Sequence, residues 1–348
     1  MRITNVEVIA KTRTPSPNPK RDAIQALPGT GSVKVVVTTE DGVQGTGEVG
    51  YGRIAGGPAA LAAVIEHTLK PLLLHQELTM IRGLHQAMLR ETEYHGAFGL
   101  TMFGIAAVDT ALWDCLGKTL GVPCWQLWGR VNERIRAYAM VGWLNYDDKE
   151  VQEICAAAVA QGFRAVKIKV GYPTLKEDIR RVETVRAAVG DEIAIMVDAN
   201  QSLTAAEAIR RGRAFEALGC GWWEEPIPAD DIDGYAALTR ALDLPVATGE
   251  NLYTPADFAR FLQRGAVDII QPDLRRAGGP TALLQIGLLA HAFHIPYASH
   301  GSGPEQLNIM ACLPNALYLE TGSIGPESPL KLVDGSVQIP TGAGFGWQ

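Results

Sequence analysis

The 348-residue chain exceeds a single average domain, which predicts two domains or a barrel of about 200–250 residues with an accessory part. With 47% hydrophobic and 20% charged residues it reads as a folded globular protein, not a disordered or fibrous one. A net charge of −7 argues against the clustered basic excess of a nucleic-acid footprint and points to small-molecule chemistry.

The first residues, Met1 to Thr14, alternate polar and apolar with no signal-peptide core, and no apolar run approaches the roughly 18 residues needed to cross a bilayer. Neither export nor membrane attachment is expected. Segments Arg2–Lys11, Val33–Thr39 and Gly45–Gly50 read as strands of a meander, the last two joined by Glu40-Asp41-Gly42, where Asp-Gly signals a hairpin. From about Gly57 to Gly117 apolar residues recur at helical intervals, ending at Gly121-Val122-Pro123. Residues 1–125 are thus expected to form an α+β domain. Its cysteines Cys115 and Cys124, with Cys155, Cys220 and Cys312 further on, are odd in number and lack a Cys-x-x-Cys pair, which disfavours zinc and suits a reducing cytoplasm.

Beyond this point short strands alternate with helices: Arg136–Val141, Ala165–Val170, Ile193–Val197, Gly221–Glu224, Val246–Thr248, Val267–Ile270, Ile295–Ala298 and Ala316–Leu319. One intervening helix carries Ile179, Val182, Val185 and Val189 on its apolar face and Arg180, Arg181, Glu183 and Arg186 on the others. This rhythm predicts a parallel barrel over residues 126–321. The Gly/Pro-rich tail, residues 322–348, contains no further βα unit and is expected to fold back on the first domain.

Barrel chemistry sits where strands end, and ionisable residues are dense there. Strand alternation puts Lys167 and Lys169 on one face of Ala165–Val170, opposite Val166, Ile168 and Val170, so both ammonium groups point into the barrel. The next three strands end in Asp198, Glu224 and Glu250, 26 residues apart twice over. Three carboxylates gathered on adjacent strands would repel unless a cation holds them, and oxygen-only ligation favours Mg²⁺ over zinc. Asp273 follows the sixth strand and His300 the seventh; a carboxylate one strand away can fix the imidazole tautomer and raise its pKa, suiting a general acid or base. Glu320 closes the eighth strand, where it could share a proton with a substrate carboxylate. The other six histidines lie in helical or helix-flanking text and read as structural, and Trp222 and Trp223 read as core.

These residues resemble the enolase superfamily, specifically its mandelate racemase subgroup, through Phe163-Arg164-Ala165-Val166-Lys167-Ile168-Lys169, Val197-Asp198-Ala199-Asn200, Glu224-Glu225-Pro226, Gly249-Glu250-Asn251, Pro272-Asp273 with Gly278-Gly279, Ser299-His300 and Leu319-Glu320. The resemblance implies a modified (β/α)₇β barrel capped by an α+β domain that the C-terminal tail completes, one Mg²⁺ per subunit, and a homo-oligomer. It also implies abstraction of the proton next to a carboxylate through an ene-diolate. Mg²⁺, Lys167 and a protonated Glu320 would surround the ene-diolate oxygens; Lys169, its pKa depressed by Lys167 and the metal, would be the base on one face and His300, held by Asp273, would serve the other.

Reprotonation from the opposite face would make a racemase or epimerase; expulsion of a 3-hydroxyl would make an acid-sugar dehydratase. Where mandelate racemase offers a serine, this chain reads Tyr138-Ala139-Met140-Val141-Gly142-Trp143, which argues against mandelate. By family analogy the loop Thr12 to Ser32 covers the substrate, and its Asn18, Lys20, Arg21, Asp22 and Gln25 suit a hydroxylated molecule. Asn200, Tyr51 and Lys20 are the expected substrate contacts. An acid-sugar dehydratase is therefore preferred, with a racemase, a lactone cycloisomerase and a non-catalytic metal-binding barrel as alternatives. No G-x-G-x-x-G or G-x-S-x-G motif points to a nucleotide site or a serine hydrolase.

Overall fold

A computed structural model of the chain describes all residues except 51–53, 97, 323, 325–327, 329 and 347–348. Strand β1 (Ile3–Thr12) pairs antiparallel with β4 (Gly31–Thr39), and β4 with β5 (Gln44–Gly50). Between β1 and β4 the expected covering loop contains a short hairpin, β2 (Lys20–Arg21) and β3 (Ala26–Leu27). Asp22 closes its turn by accepting the amides of Ile24 and Gln25, both at 2.9 Å. Helix Leu100–Leu120 packs on this sheet and Ile81–Glu91 packs on Leu100–Leu120, around a core that includes Val35, Leu84, Ile105 and Leu112.

The helix Leu100–Leu120 is long and apolar enough to cross a membrane by composition, contrary to the sequence reading, but 89% of its apolar window is buried within the protein. It is a core helix, and its polar residues face neighbours. Asp109 accepts the Thr281 amide and hydroxyl, both at 2.8 Å, and Trp113 Nε1 donates to the same hydroxyl at 2.9 Å, tying the first domain to the barrel. His85 adds a contact across the same seam, Nε2 to the Gly278 carbonyl oxygen at 3.0 Å.

The barrel comprises, among the described residues, eight parallel strands: β6 (Arg134–Gly142), β7 (Ala165–Lys169), β8 (Ala194–Asp198), β9 (Trp223–Glu224), β10 (Val246–Thr248), β11 (Ile269–Ile270), β12 (Tyr297–Ala298) and β13 (Ala316–Thr321). They pair in sequence order, and β13 closes on β6 with Glu320 opposite Tyr138. Three of the intervening helices have chemically marked starts: Asp147 with Glu150, Thr174 with Glu177, and Thr254 with Asp257 form capping boxes. Arg181, expected off the apolar face of its helix, is nonetheless buried. It is 2% exposed and donates to the carbonyls of Trp143 (2.6 Å) and Tyr146 (2.9 Å), bracing the loop after β6.

The tail divides its contacts between the two units rather than packing only on the first. Strands β14 (Leu332–Val333) and β15 (Ser336–Gln338) form a hairpin that extends the barrel sheet through antiparallel pairing of β15 with β6. Among the described residues, the last stretch joins the first domain: Phe345 enters its core, the Phe345 amide donates to Asp114 Oδ1 (3.1 Å) and Cys124 N donates to the Gly344 oxygen (2.7 Å). The physical reason is that β6 offers a free edge at its first residues, which the polar-apolar alternation of Ser336-Val337-Gln338 can satisfy.

Candidate active site

Parallel register brings the predicted residues together at the carboxyl ends of the strands. Lys169 pairs directly with Asp198, and Asp198 with Glu224. Because both lysines sit on the inward phase of β7, their side chains are almost fully buried, Lys167 at 1% exposure and Lys169 at 5%. Residues just beyond the strands take left-handed backbone, Asn200 at φ 45°, Gln201 at 67° and Glu225 at 38°, the kind of strain that a functional site retains.

Ligand atoms of Asp198, Glu224 and Glu250 lie within 4.8 Å of one another, and all three side chains are buried. Such a trio of hard oxygen donors fits a divalent cation of the Mg²⁺ kind. Glu250 supports the fit: its Oε2 is buried without a hydrogen bond and stands 3.1 Å from His300 Nε2 in poor alignment. Glu224 is held by Trp222 Nε1 (3.1 Å) and Gln271 Nε2 (2.9 Å) on Oε2, and by Lys167 Nζ (2.5 Å) on Oε1.

Lys167 is shared. It pairs with Glu320 as well as Glu224 and lies 3.6 Å from Asp198 Oδ2. Glu320 also accepts the Tyr138 hydroxyl (2.7 Å) and the Gly301 amide (3.0 Å). Burial alone would raise the Glu320 pKa, but Lys167, His300 and these donors hold it well below the usual carboxylate range. Without substrate or metal Glu320 is thus held as a carboxylate by the positive charge and donors around it, so the protonated form expected beside a substrate carboxylate would have to arise when substrate binds. Burial pushes Glu224 up to about 8, with repulsion from Asp198 and Glu320 adding to it and the shared Lys167 only partly opposing.

Lys169 ion-pairs with Asp198. Burial lowers its pKa and so does Lys167, yet Asp198, with Glu250 and Glu224, outweighs them and leaves it above the ordinary lysine value. The protein's own groups thus do not depress it; the expected depression counted a bound metal as well as Lys167. On the other side, His300 Nδ1 meets Asp273 Oδ2 at 2.6 Å, and Asp273 is clamped by Arg275 through its backbone amide (2.7 Å) and its guanidinium (Nη2 at 2.5 Å). Burial lowers the His300 pKa, but Glu250 and Asp273 bring it above the normal histidine value.

Lys169, His300 and Glu250 line one cavity of about 610 Å³, together with Asp22 and Gln25 from the hairpin loop and Asn200. Asn200 donates its amide to Asp198 Oδ1 (2.9 Å) and keeps its side-chain oxygen buried and unpaired. Lys20 is not a wall of this cavity; its Nζ lies 5.3 Å from the centroid of the Trp143 ring, which is. Tyr51 lies outside the described residues. Sequence reading missed Tyr138, Trp222, Gln271, Arg275 and Trp143. A usable signal existed for one of them: Trp222 is two residues from Glu224 in a strand-like run and so shares its inward face.

A pH dependence follows from Glu224. Its folded pKa stands above the unfolded value of 4.5, so the folded state binds more protons and its stability falls as pH rises from about 4.5 to about 8. A metal must displace that proton. Mg²⁺ affinity, measured by calorimetry, is expected to rise with pH toward 8, and the thermal midpoint of the metal-free protein to fall over the same window. A pH-independent affinity between pH 5 and 8 would contradict the protonated Glu224.

A closed parallel barrel with three clustered acids, two buried lysines and a histidine–aspartate pair defines a class, the metal-assisted barrel enzymes acting on carboxylates. Residues 150–348 match the Enolase C-terminal domain-like family and residues 4–129 the mandelate racemase / muconate lactonizing enzyme N-terminal domain. The chain belongs to the mandelate racemase / muconate lactonizing enzyme family of the enolase superfamily. An arabinonate dehydratase of Saccharolobus solfataricus is 35% identical over 334 residues, covering 93% of this chain and 89% of its own length. A 3,6-anhydro-alpha-L-galactonate cycloisomerase of Streptomyces coelicolor is 34% identical, covering 90% and 88%. The solved L-talarate/galactarate dehydratase from Salmonella typhimurium LT2, liganded with Mg and L-lyxarohydroxamate, superposes with a TM-score of 0.93 at 31% identity, covering 100% of this chain and 90% of that one.

Proposed function

We propose that the chain is an acid-sugar dehydratase that removes the C2 proton of a hydroxylated carboxylate, expels the 3-hydroxyl as water and releases a 2-keto-3-deoxy acid. The observation that carries this reading is that Lys169 and His300 line one cavity whose remaining wall is rich in hydrogen-bonding groups, among them Asp22, Gln25, Asn200 and Asn251. Such a wall suits several hydroxyls better than an aromatic ring.

Asp198, Glu224 and Glu250 would hold Mg²⁺, which when bound supplies positive charge to the substrate carboxylate. Lys167 adds a second charge at the same end, and Glu320, poised between Lys167 and Tyr138, would take up a proton as the substrate carboxylate approaches it. One unit pair at about 4 Å is worth roughly 4 kcal/mol at an effective dielectric of about 20, so several partners are needed to stabilise a dianionic ene-diolate. Lys169 takes the C2 proton once its pull from Asp198 is compensated. His300, oriented by Asp273, gives a proton to the departing hydroxyl.

The 34% identical cycloisomerase favours a second reading, in which proton removal leads to ring chemistry in place of water loss. A racemase, which would use the same two groups to deprotonate and reprotonate C2, is the third. Incubation with Mg²⁺ and a panel of aldonic, aldaric and 2-hydroxy acids in D₂O separates the dehydratase from the racemase. The dehydratase yields 2-keto acid, while deuterated starting acid of inverted configuration would replace it with the racemase. Exchange at C2 of none of the acids would remove the ene-diolate chemistry altogether.

Homo-oligomeric assembly and a reducing cytoplasmic setting complete the proposal. The free thiols support the setting, since Cys115, Cys124, Cys155 and Cys312 are buried and burial pushes the half-buried Cys220 up to about 12.

A further inference from the structure

We propose that Trp143 is a positioning residue that couples docking of the β2–β3 hairpin to the alignment of Lys169, its ring serving as a common contact for Lys20 from the hairpin and Lys169 from the barrel. Lys20 Nζ lies 5.3 Å from the ring centroid and Lys169 Nζ 5.4 Å, both within the reach of a cation–π contact. The two lysines come from different structural units and meet on one indole.

The backbone around Trp143 reinforces the link. Its carbonyl oxygen accepts from the buried Arg181 guanidinium at 2.6 Å, so the loop is anchored from below. The next two residues grip the hairpin: Leu144 N donates to the Arg21 oxygen, and Arg21 N to Asn145 Oδ1, both at 3.0 Å. Ala23 rests on the end of β7 so closely that a Cβ at Gly171 would stand 2.8 Å from the Ala23 methyl. Gly171 also takes φ 97°, so its small size and its backbone both serve this docking.

Lys169 gains from the arrangement because its other partner is compromised. Asp198 belongs to the acidic trio, and both of its oxygens already have partners, Asn200 N on Oδ1 and Lys169 on Oδ2. A cation held by Asp198 competes with the ammonium for the same carboxylate. The indole belongs to no such competition, so it keeps Lys169 aimed into the cavity that both residues line. With the hairpin undocked, Lys20 leaves the ring and the loop loses its grip at Leu144 and Asn145.

The Lys169 half of this inference rests on the base role proposed above; the hairpin half does not. The test uses the full-length protein and its Lys20→Met, Trp143→Leu and Trp143→Phe variants, with hydrogen–deuterium exchange of peptides covering residues 12–32 read by mass spectrometry. Lys20 is exposed, so its variant should fold normally. Exchange in the hairpin is expected to quicken roughly two- to fivefold in Lys20→Met and by at least that in Trp143→Leu, and to stay near wild type in Trp143→Phe. Unchanged exchange in both Lys20→Met and Trp143→Leu overturns the coupling.

On an acid that the panel shows to be turned over, Trp143→Leu should lower kcat about tenfold with a smaller change in KM, and Trp143→Phe should recover most of the loss. A change in KM alone would make the ring a mere wall and overturn the alignment role. Lys169→Met is the control: full activity there would refute the base assignment, whereas the hairpin exchange still decides the coupling.

Discussion

Replacing Lys169 by Met should lower turnover by about 10²–10⁴-fold, the usual contribution of a positioned general acid or base. Methionine fills a similar volume without charge, so the buried strand β7 should persist. The cost in the metal-free protein is electrostatic. Asp198 would lose its ion-pair partner and keep Lys167 at 3.6 Å, the Asn200 amide and a hydrogen bond with Glu224, so a loss of about 3 kcal/mol in unfolding free energy is expected. Saturating Mg²⁺ should restore much of that stability, because a cation replaces the missing charge, while turnover stays low. Kinetics with and without added metal, set beside denaturant melts, check both halves. A variant that turns over at the wild-type rate would eliminate Lys169 as the base.

Asp198→Asn should weaken Mg²⁺ binding beyond the roughly 10–100-fold that loss of an outer partner of a metal site typically costs, because it removes a charged ligand itself. The amide keeps the shape of the side chain and can still accept the Asn200 amide, so the effect isolates charge from packing. Glu224 and Glu250 remain, and the residual affinity should be theirs. Calorimetric titration reads the change directly; an unaltered isotherm would place the ion elsewhere. The same substitution also frees Lys169 from its ion pair. Any fall in turnover that persists at saturating Mg²⁺ then reports the altered lysine, which gives the two predictions independent readouts.

Much of the candidate site was legible because the relevant patterns are local. Alternation in Ala165–Lys169 declared the inward phase of Lys167 and Lys169, and a single βα unit spaced Asp198, Glu224 and Glu250. The strand positions followed from the same rhythm, although β9, β11 and β12 proved to be only two residues long, since hydrogen-bonded pairing in a tilted barrel engages fewer residues than an apolar run suggests. The β2–β3 hairpin was not legible: its strands are two residues each, too short for alternation to register. Tyr138 was equally silent, because its partner Glu320 lies 182 residues away and meets it only when β13 closes on β6.

The chain by itself determined the inventory of reactive groups and the wall of the barrel on which each would stand, because side-chain phase along a strand is set by the pleat and does not depend on distant contacts. Protonation was decided only in three dimensions. Whether Glu320 is a carboxylate, whether Glu224 keeps a proton and whether Lys169 is a free amine depend on distances between residues that are remote in sequence, and buried charges interact strongly enough over a few ångströms to reverse an expectation drawn from any one of them. The same holds for the meeting of Lys20 and Lys169 on Trp143, which needs the hairpin, the first barrel loop and the second barrel strand to converge.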